Sequence, residues 1–280
     1  MTRSRRHIGL LFIIYPVCVI FAALSILPFW LMIVNATRST AQIQKTTLSL
    51  IPSYHFIDNA KILMKKAFNP MIGFMNSAII SVGATLCATY FSSLTAYALV
   101  IYDWRLKNAF FAMILTVMMI PAQVSTIGFY QFVHRLGLMN NYLPLIVPAI
   151  ASPTIVFFMR QYLVASLHPD LVASARIDGS PEFSTFNKIV IPLMKPAIAT
   201  QAIFVFVGTW NNFFVPLILL TNKNRYTMPI MVSLLRGDIY RQEYGSIYLA
   251  LTLSVLPLFV IYFFLSKYII AGVALGGIKE

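Results

Sequence analysis

Six long stretches of this chain contain no charged residue and no histidine, and they constrain its fold more than any other feature. A helix needs roughly 20 apolar residues to cross the hydrocarbon layer of a bilayer. The stretches cover residues 8–36, 67–102, 108–133, 136–159, 196–222 and 244–266. They predict helices near residues 10–34, 73–100, 109–131, 142–163, 197–220 and 246–268. The fold class that follows is all-α, a polytopic membrane protein with six transmembrane helices.

The overall composition supports this fold class and limits the alternatives. Of 280 residues, 59% are hydrophobic and 10% are charged, against about 25% charged in an ordinary soluble domain. The formal net charge is +13, but Lys and Arg are scattered between the apolar stretches. A nucleic-acid-binding chain would cluster them on one face, whereas loops at an anionic membrane surface explain the scatter. We therefore expect contact with membrane lipid and no nucleic-acid partner.

Positive charge near the N-terminus predicts a topology. Arg3, Arg5 and Arg6 directly precede the first helix, which favours a cytoplasmic N-terminus, and an even number of spans returns the C-terminus to that side. The remaining loops carry nearly balanced positive charge and do not decide the orientation. The predicted divisions are a cytoplasmic N-terminus at 1–9, the first helix with an external loop at 10–70, a core of five helices at 71–270 that includes a cytoplasmic loop at 164–196, and a cytoplasmic tail at 271–280.

The predicted helices lack acidic residues. All eight carboxylates lie outside them: Asp58, Asp103, Asp170, Asp178, Glu182, Asp238, Glu243 and Glu280. Carriers coupled to protons or sodium usually keep an ionisable group within the membrane, so a secondary transporter is disfavoured, although unwound backbone can also bind sodium. The four histidines are scattered, and no metalloprotease or serine-hydrolase motif occurs. We expect no enzyme activity, metal or cofactor on this chain.

A polar segment from Gln161 to Lys195 separates the fourth and fifth predicted helices. Pro169 suits the first position of a helix that runs to Asp178, and Gly179 suits a left-handed cap after it. A second short helix is predicted to follow, with Ser180 as N-cap, Pro181 in the first turn and Glu182 favouring the positive helix end.

The spacing of Leu171, Ala175 and Asp178 predicts that they share one face of the first short helix. The small residues 173–175 make the middle of that helix thin. A thin helix held between two spans suits insertion into a partner protein. An amphipathic helix that lies on the membrane surface fits the same spacing, so the residues alone leave both alternatives open.

Several linked motifs in the chain resemble one known family. Residues 173–179 read A-S-A-R-I-D-G and residues 191–196 read I-P-L-M-K-P. Further matches are Asn76-Ser77, the run from Gly137 through Asn141 to Arg160, Trp210-Asn211 and Gly276-Gly277. The pattern resembles the EAA motif of ABC importer permeases, and specifically the carbohydrate-uptake, maltose-type branch, from about residue 50 onward.

The resemblance implies an assembly and a location. Two permease chains would form a heterodimer over a dimer of ABC ATPase subunits in the cytoplasmic (inner) membrane, and an extracytoplasmic sugar-binding protein would deliver a carbohydrate. This chain has no phosphate-binding loop of the G-x-x-x-x-G-K-[ST] type. ATP and its Mg²⁺ are therefore expected on the partner ATPase subunits. A permease for another small solute, such as glycerol phosphate, is the alternative within the family.

The resemblance also implies which residues couple the permease to the ATPase. The coupling helix would dock through Leu171, Ala173, Ser174, Ala175, Asp178 and Gly179, and the chain would re-enter the membrane through Pro192 and Pro196. One departure is notable, because the glutamate position of the motif holds Ala173 and its first alanine is Ser174. The chain thus lacks a charge-assisted contact that the family uses at this position.

A polar group within the fifth predicted helix suggests a place for the substrate. Trp210, Asn211 and Asn212 lie among phenylalanines, and sugars are bound by aromatic faces together with fixed polar groups. A hydrogen bond between helices of the two permease chains explains the asparagines better than direct contact with a sugar does. We also expect no Lys or Arg within a span, a pattern that favours a neutral solute.

Overall fold

The computed structural model describes residues 2–46, 48–65, 68–121, 123–236 and 242–277. Within these ranges the chain forms helices and turns and no β-strand, which confirms the all-α class. The α-helices are α1 (Thr2–Ala36), α2 (Thr40–Lys45), α3 (Phe56–Lys65), α4 (Pro70–Ile101), α5 (Lys107–Met118), α6 (Thr126–Arg135), α7 (Leu143–Ile146), α8 (Pro153–Ser166), α9 (Pro169–Ile177), α10 (Glu182–Thr185), α11 (Ile191–Leu193), α12 (Lys195–Trp210), α13 (Phe214–Leu219), α14 (Met228–Leu234) and α15 (Tyr244–Gly277).

Four helical segments of the described chain are long and apolar enough to cross a membrane. They are Ile14–Ala36, Pro70–Ile101, Leu143–Ser166 and Tyr244–Phe264. A fifth is obtained if Glu182–Leu193 and Lys195–Trp210, which are bent by 79° relative to each other, count as one span. The predicted count of six is therefore not confirmed, although four of the predicted helices have clear counterparts.

The predicted third span, 109–131, is divided into two shorter helices. Helix α5 has 12 residues and is therefore about 18 Å long, well short of the roughly 30 Å of hydrocarbon in a bilayer. Pro121 follows its end. Proline lacks a backbone N–H and disfavours helical geometry in the residue before it, so the helix stops there and α6 begins only at Thr126.

Prolines also interrupt the fourth and fifth predicted spans. A 3₁₀ segment at Val147–Ile150 joins α7 to α8 and contains Pro148. In the fifth span, predicted as one helix over 197–220, α12 ends at Trp210 and α13 begins at Phe214. Pro216 explains this break, because a proline ring clashes with the carbonyl four residues earlier, which here belongs to Asn212.

The chain divides into two compact units, of which the larger holds residues 71–230 and 257–280. Its main apolar core joins α4, α8, α9 and the segment from α10 to α12. The buried members of this core are Ala96, Tyr97, Ile155, Met159, Leu163, Leu167, Val172, Phe186, Val190 and Met194. Small residues at Ala84, Ala88, Ser92 and Ala96 are all buried along one stripe of α4, as expected for close packing of helices.

The smaller unit holds residues 1–70 and 231–256, and a buried polar cluster fixes its loops. Asn59 is 4% exposed, and its side-chain amide donates hydrogen bonds to the carbonyl oxygens of Ala36 and Arg38, at 2.8 and 2.9 Å. Ser246 Oγ donates to the Asn59 carbonyl at 3.0 Å. The start of α15 is thereby tied to the residues that follow α1.

Candidate functional site

The segment between α8 and α12 begins with a well-capped helix. Pro169 is the first residue of α9, and Gly179 has a φ of +76°. The Gly179 N–H donates to the Arg176 carbonyl at 3.1 Å and the Ser180 N–H to the Ala175 carbonyl at 2.9 Å, which is the full Schellman arrangement. The predicted helix and its glycine cap are confirmed. The predicted N-cap of the next helix is wrong by one residue, since Pro181 precedes α10.

Helix α9 has a buried side and an exposed side, and the boundary between them differs from the prediction. Ala175 is 6% exposed and Leu171 is 46% exposed, so they do not share one face. Ala175 and Val172 point into the core instead. The exposed residues of the helix and its cap are Pro169, Asp170, Leu171, Ala173, Ser174, Arg176, Ile177, Asp178 and Gly179. We call the surface formed by Leu171, Ser174, Ile177 and Asp178 the docking face.

Two exposed apolar side chains, one on the docking face and one on α10, were not predicted from the sequence. Ile177 is 87% exposed and Phe183 is 67% exposed. Both lie in an otherwise polar segment outside the spans, which is the signal that could have identified them. An exposed large apolar side chain on a rigid, capped helix is typical of a protein–protein contact.

Residues 169–186, which include α9 and α10, are called the docking segment. Glu182 connects this segment to the end of α4 that lies at Ile101. Its Oε1 accepts a hydrogen bond from Arg176 Nε at 2.5 Å, and the pair forms an ion pair between α9 and α10. Its Oε2 accepts from the Tyr102 hydroxyl at 2.6 Å and from the Tyr97 hydroxyl at 3.0 Å. The Arg176 guanidinium also lies 5.6 Å from the centroid of the Tyr102 ring. We call these four residues the Glu182 cluster.

The Glu182 cluster holds its carboxylate in the ionised form. The hydrogen bond from Arg176 is the main cause and the one from Tyr102 the next, and together they lower the pKa of Glu182 to about 2 from an ordinary value of 4.5. The same hydrogen bond raises the pKa of Arg176. Both side chains are therefore charged throughout the physiological range.

The lowered pKa predicts how acid affects folding. Because the folded-state pKa of Glu182 lies below its unfolded value, its contribution to stability is present above pH 4.5 and is lost as the pH falls toward 2. We expect the gap in unfolding temperature between the wild type and Glu182→Gln to be constant from pH 7 to 5 and to shrink below that. Thermal unfolding in detergent across this pH range measures it. A gap that widens on acidification would contradict the assignment.

Helices α8 and α12 form an open groove of about 680 Å³. Its lining residues are Thr154, Ile155, Phe158, Tyr162, Ala197, Thr200, Gln201 and Phe204. Phe158 and Phe204 expose 49% and 66% of their surface. This groove is not apparent from the sequence because its two sides come from separate spans, although the 197, 200, 201, 204 spacing marks one helix face.

The polar group at 210–212 occupies the break between α12 and α13. Trp210 is only 2% exposed, with its ring stacked on Phe206 at 5.5 Å and edge-on to Phe74 at 5.8 Å between centroids. It lies in the core, which argues against the predicted contact of its ring with a solute. Asn211 is exposed, and Asn212 lines a cavity of about 300 Å³.

Comparison with known proteins identifies the architecture just described. The sequence profile of the family described as "binding-protein-dependent transport system inner membrane component" matches residues 88–274. The chain belongs to this family. The match includes the end of α4, the docking segment and both sides of the groove. It confirms the resemblance that the 173–179 and 191–196 motifs carry.

Curated relatives and a solved structure agree with this assignment. The permease is 34% identical to the arabinooligosaccharides transport system permease protein AraQ of Halalkalibacterium halodurans, over 92% of each chain. It is 29% identical to the lactose transport system permease protein LacG of Rhizobium radiobacter over 100% of each chain. It is 27% identical to the sn-glycerol-3-phosphate transport system permease protein UgpE of Salmonella typhi, over 97% of this chain and 98% of the relative. A bacterial ABC transporter that imports the acidic polysaccharide alginate shares the fold, with a TM-score of 0.79, 21% identity, and coverage of 96% of this chain and 99% of that one.

Among the four continuous candidate spans of the described chain, Leu143–Ser166 contains a basic residue, contrary to the prediction. Arg160 is part of α8, inside the apolar segment Leu143–Ser166. Its guanidinium carbon lies 4.1 Å from the centroid of the Phe111 ring, a cation–π geometry that helps to accommodate the charge. Arg160 directly follows the uncharged stretch 136–159, but it already lies inside the helix predicted over 142–163.

The predicted Asn76-Ser77 motif fixes a distant loop of the permease. Asn76 Nδ2 donates to the carbonyls of Asn224 and Tyr226, at 3.0 and 2.9 Å, and the Ser77 hydroxyl accepts from the Met228 N–H at 2.9 Å. The Tyr142 hydroxyl donates to Asn76 Oδ1 at 2.8 Å. The loop after α13 is therefore held against α4 by directional bonds at the end opposite to Ile101.

Proposed function

We propose that this chain is the permease subunit of an ATP-driven importer of sugars or oligosaccharides. The observation that carries the proposal is the docking face, an exposed surface on a capped helix. Hydrogen bonds of Glu182 join this helix to α4, which belongs to the core that contains the spans. A membrane protein that hydrolyses no ATP itself needs such a surface to receive work from an ATPase. Family membership and the carbohydrate named for AraQ and LacG support the same reading.

The groove between α8 and α12 supports a neutral carbohydrate as the solute. Two exposed phenylalanine rings lie beside the hydroxyls of Thr154, Thr200 and Tyr162 and the amide of Gln201, and this combination suits a sugar. None of the described residues that line the groove is charged. The relative UgpE is named for sn-glycerol 3-phosphate, and an anionic solute of that kind would favour a cation in the pathway. We therefore place the glycerol phosphate alternative second.

The proposed orientation puts both termini and the docking face in the cytoplasm. It rests on Arg3, Arg5 and Arg6 before the first span. The docking face would then contact the ATPase dimer, which holds ATP and Mg²⁺, and a second permease chain would complete the pathway. The loop fixed by Asn76 would lie outside the cell, where an extracytoplasmic binding protein delivers the solute.

A test of the assembly is to purify the tagged chain from its native membranes in mild detergent and identify its partners by mass spectrometry. Recovery of an ATPase and a second permease is the expected result. The recovered complex is then reconstituted in liposomes with its binding protein and supplied with labelled arabinooligosaccharide, lactose or glycerol 3-phosphate. ATP-dependent uptake of a sugar supports the proposal. Uptake of glycerol 3-phosphate alone favours the alternative, and ATP-independent flux by the chain alone would indicate a secondary transporter.

The docking face makes a prediction of its own. Replacing Ile177 by Ala should leave the unfolding temperature unchanged, because the side chain is 87% exposed, but should weaken recovery of the ATPase about tenfold, as for an apolar anchor at an interface. Val164→Ala is the control, since Val164 is also exposed, at 58%, but lies on α8. Equal recovery of the ATPase by both variants would show that Ile177 is not part of the interface.

A further inference from the structure

We propose that Glu182 is a positioning residue that ties the docking face to α4, so that movement of the coupling helix reaches the second span directly. The inference rests on the proposed function. It adds a route by which work from the ATPase is transmitted. Helix α9 is joined through the chain to α8 and α12, whereas α4 is distant in sequence and can be moved only through contacts.

The apolar contacts between α4 and the docking segment do not by themselves fix its position. Tyr97 and Phe186 pack at 5.4 Å between ring centroids, and Val172 joins the same core. Such contacts are close-packed and transmit displacement, but the hydrophobic effect behind them is not directional. They therefore set the relative orientation of α9 and α4 less sharply than hydrogen bonds do.

The bonds of Glu182 are directional, and they are shorter than the hydrogen bond that the Tyr90 hydroxyl of α4 donates to Asn187 Oδ1 at 3.3 Å. One carboxylate oxygen is held by Arg176, the last basic side chain of α9. The other is held by two tyrosine hydroxyls, one on α4 and one immediately after it. Charge-assisted hydrogen bonds are shorter and stronger than neutral ones, and three of them on one carboxylate set the distance and the orientation of both elements.

The exposure of the pair indicates a role beyond stability. The side chains of Arg176 and Glu182 are 43% and 41% exposed, and exposed ion pairs contribute little to folding. The ion pair itself is therefore expected to add little to folding, whereas the bond from Tyr97, which is 2% exposed, joins the carboxylate to the core. Arg176 follows Ala173, the position of the family's glutamate, by three residues on α9, and residues at that spacing are neighbours on a helix surface.

The test follows a label on α4 while the ATPase works. In a background with Cys18 and Cys87 replaced by Ala, an environment-sensitive probe is attached to Met71→Cys, which is 69% exposed at the other end of α4. The full complex in liposomes is given Mg-ATP with orthovanadate. We expect the probe signal to change in this background, and the change to fall about fivefold or more in Glu182→Gln, while the ATPase still co-purifies and hydrolyses ATP. Asp170→Asn removes one carboxylate from α9 and should leave the change intact.

Several outcomes separate the possibilities. A probe change in Glu182→Gln equal to that in Asp170→Asn overturns the inference. If Glu182→Gln does not fold, Tyr102→Phe, which removes a single hydroxyl, decides instead, with a reduced change supporting the inference and a full one overturning it. If the proposed function itself is wrong, the result differs, because even the unmutated complex would lack an ATPase or show no change in probe signal on addition of nucleotide.

Discussion

Replacing Gly245 by Ala is expected to prevent stable folding of the smaller unit. A Cβ atom built on Gly245 would lie 2.5 Å from Asn59 Nδ2 and closer still to the carbonyl oxygen of Arg38. Neither neighbour can move freely, because the Asn59 amide is held by two buried hydrogen bonds. Overpacking of this kind costs about 1–3 kcal/mol, and leaving the buried amide unpaired adds about 1–3 kcal/mol more.

The midpoint of thermal unfolding in detergent, followed by size-exclusion chromatography, measures this effect. Gly208→Ala is the matched control, because a Cβ atom at Gly208 would have no neighbour within 4 Å and alanine favours the helix by about 1 kcal/mol. We expect Gly245→Ala to lose most of its folded fraction while Gly208→Ala equals or exceeds the wild type. Equal midpoints for the two variants would disprove the close approach between α15 and Asn59.

Replacing Trp210 by Ala is expected to be the most damaging change in the larger unit. The ring is 2% exposed and contacts Phe206 and Phe74, and truncation of a buried aromatic side chain costs about 3–5 kcal/mol. Trp210→Phe should retain most of the packing and therefore most of the unfolding temperature and of the transport rate. Trp104→Ala is the control, since Trp104 is 41% exposed.

The conservative variant distinguishes the core role from the role predicted by the sequence. If the indole touched the solute, Trp210→Phe would lower uptake while the unfolding temperature stayed constant. If uptake and unfolding temperature fall together, or if neither changes, Trp210 acts as a residue of the core. Uptake by the reconstituted complex and thermal unfolding of the same preparation provide the two measurements.

Local signals in the sequence predicted the docking segment well. Pro169 and Gly179 place the start and the cap of α9 because each has a backbone preference that acts over one or two residues. The face of α9 was less predictable, since the burial of Ala175 depends on where the core lies. The Glu182 cluster could not be predicted at all, because it joins residues more than seventy positions apart.

The count of six spans is not confirmed for a related reason. Apolar composition indicates that a residue can lie in the membrane, but it does not indicate where a helix is continuous. Pro121 and Pro216 were visible in the sequence, and prolines are tolerated in membrane helices, so their presence alone did not predict a break. The groove between α8 and α12 likewise requires the relative placement of two spans.

The length of the first span bears on the thickness of the bilayer in which the chain can work. Side chains 14–30 of α1 are all exposed, and Val34, Asn35 and Ala36 at its last turn are buried. The segment Ile14–Ala36 has 23 residues and is about 34 Å long, slightly more than the thickness of an average hydrocarbon layer. A span of this length can tilt and so adapt to bilayers of different thickness at a modest cost.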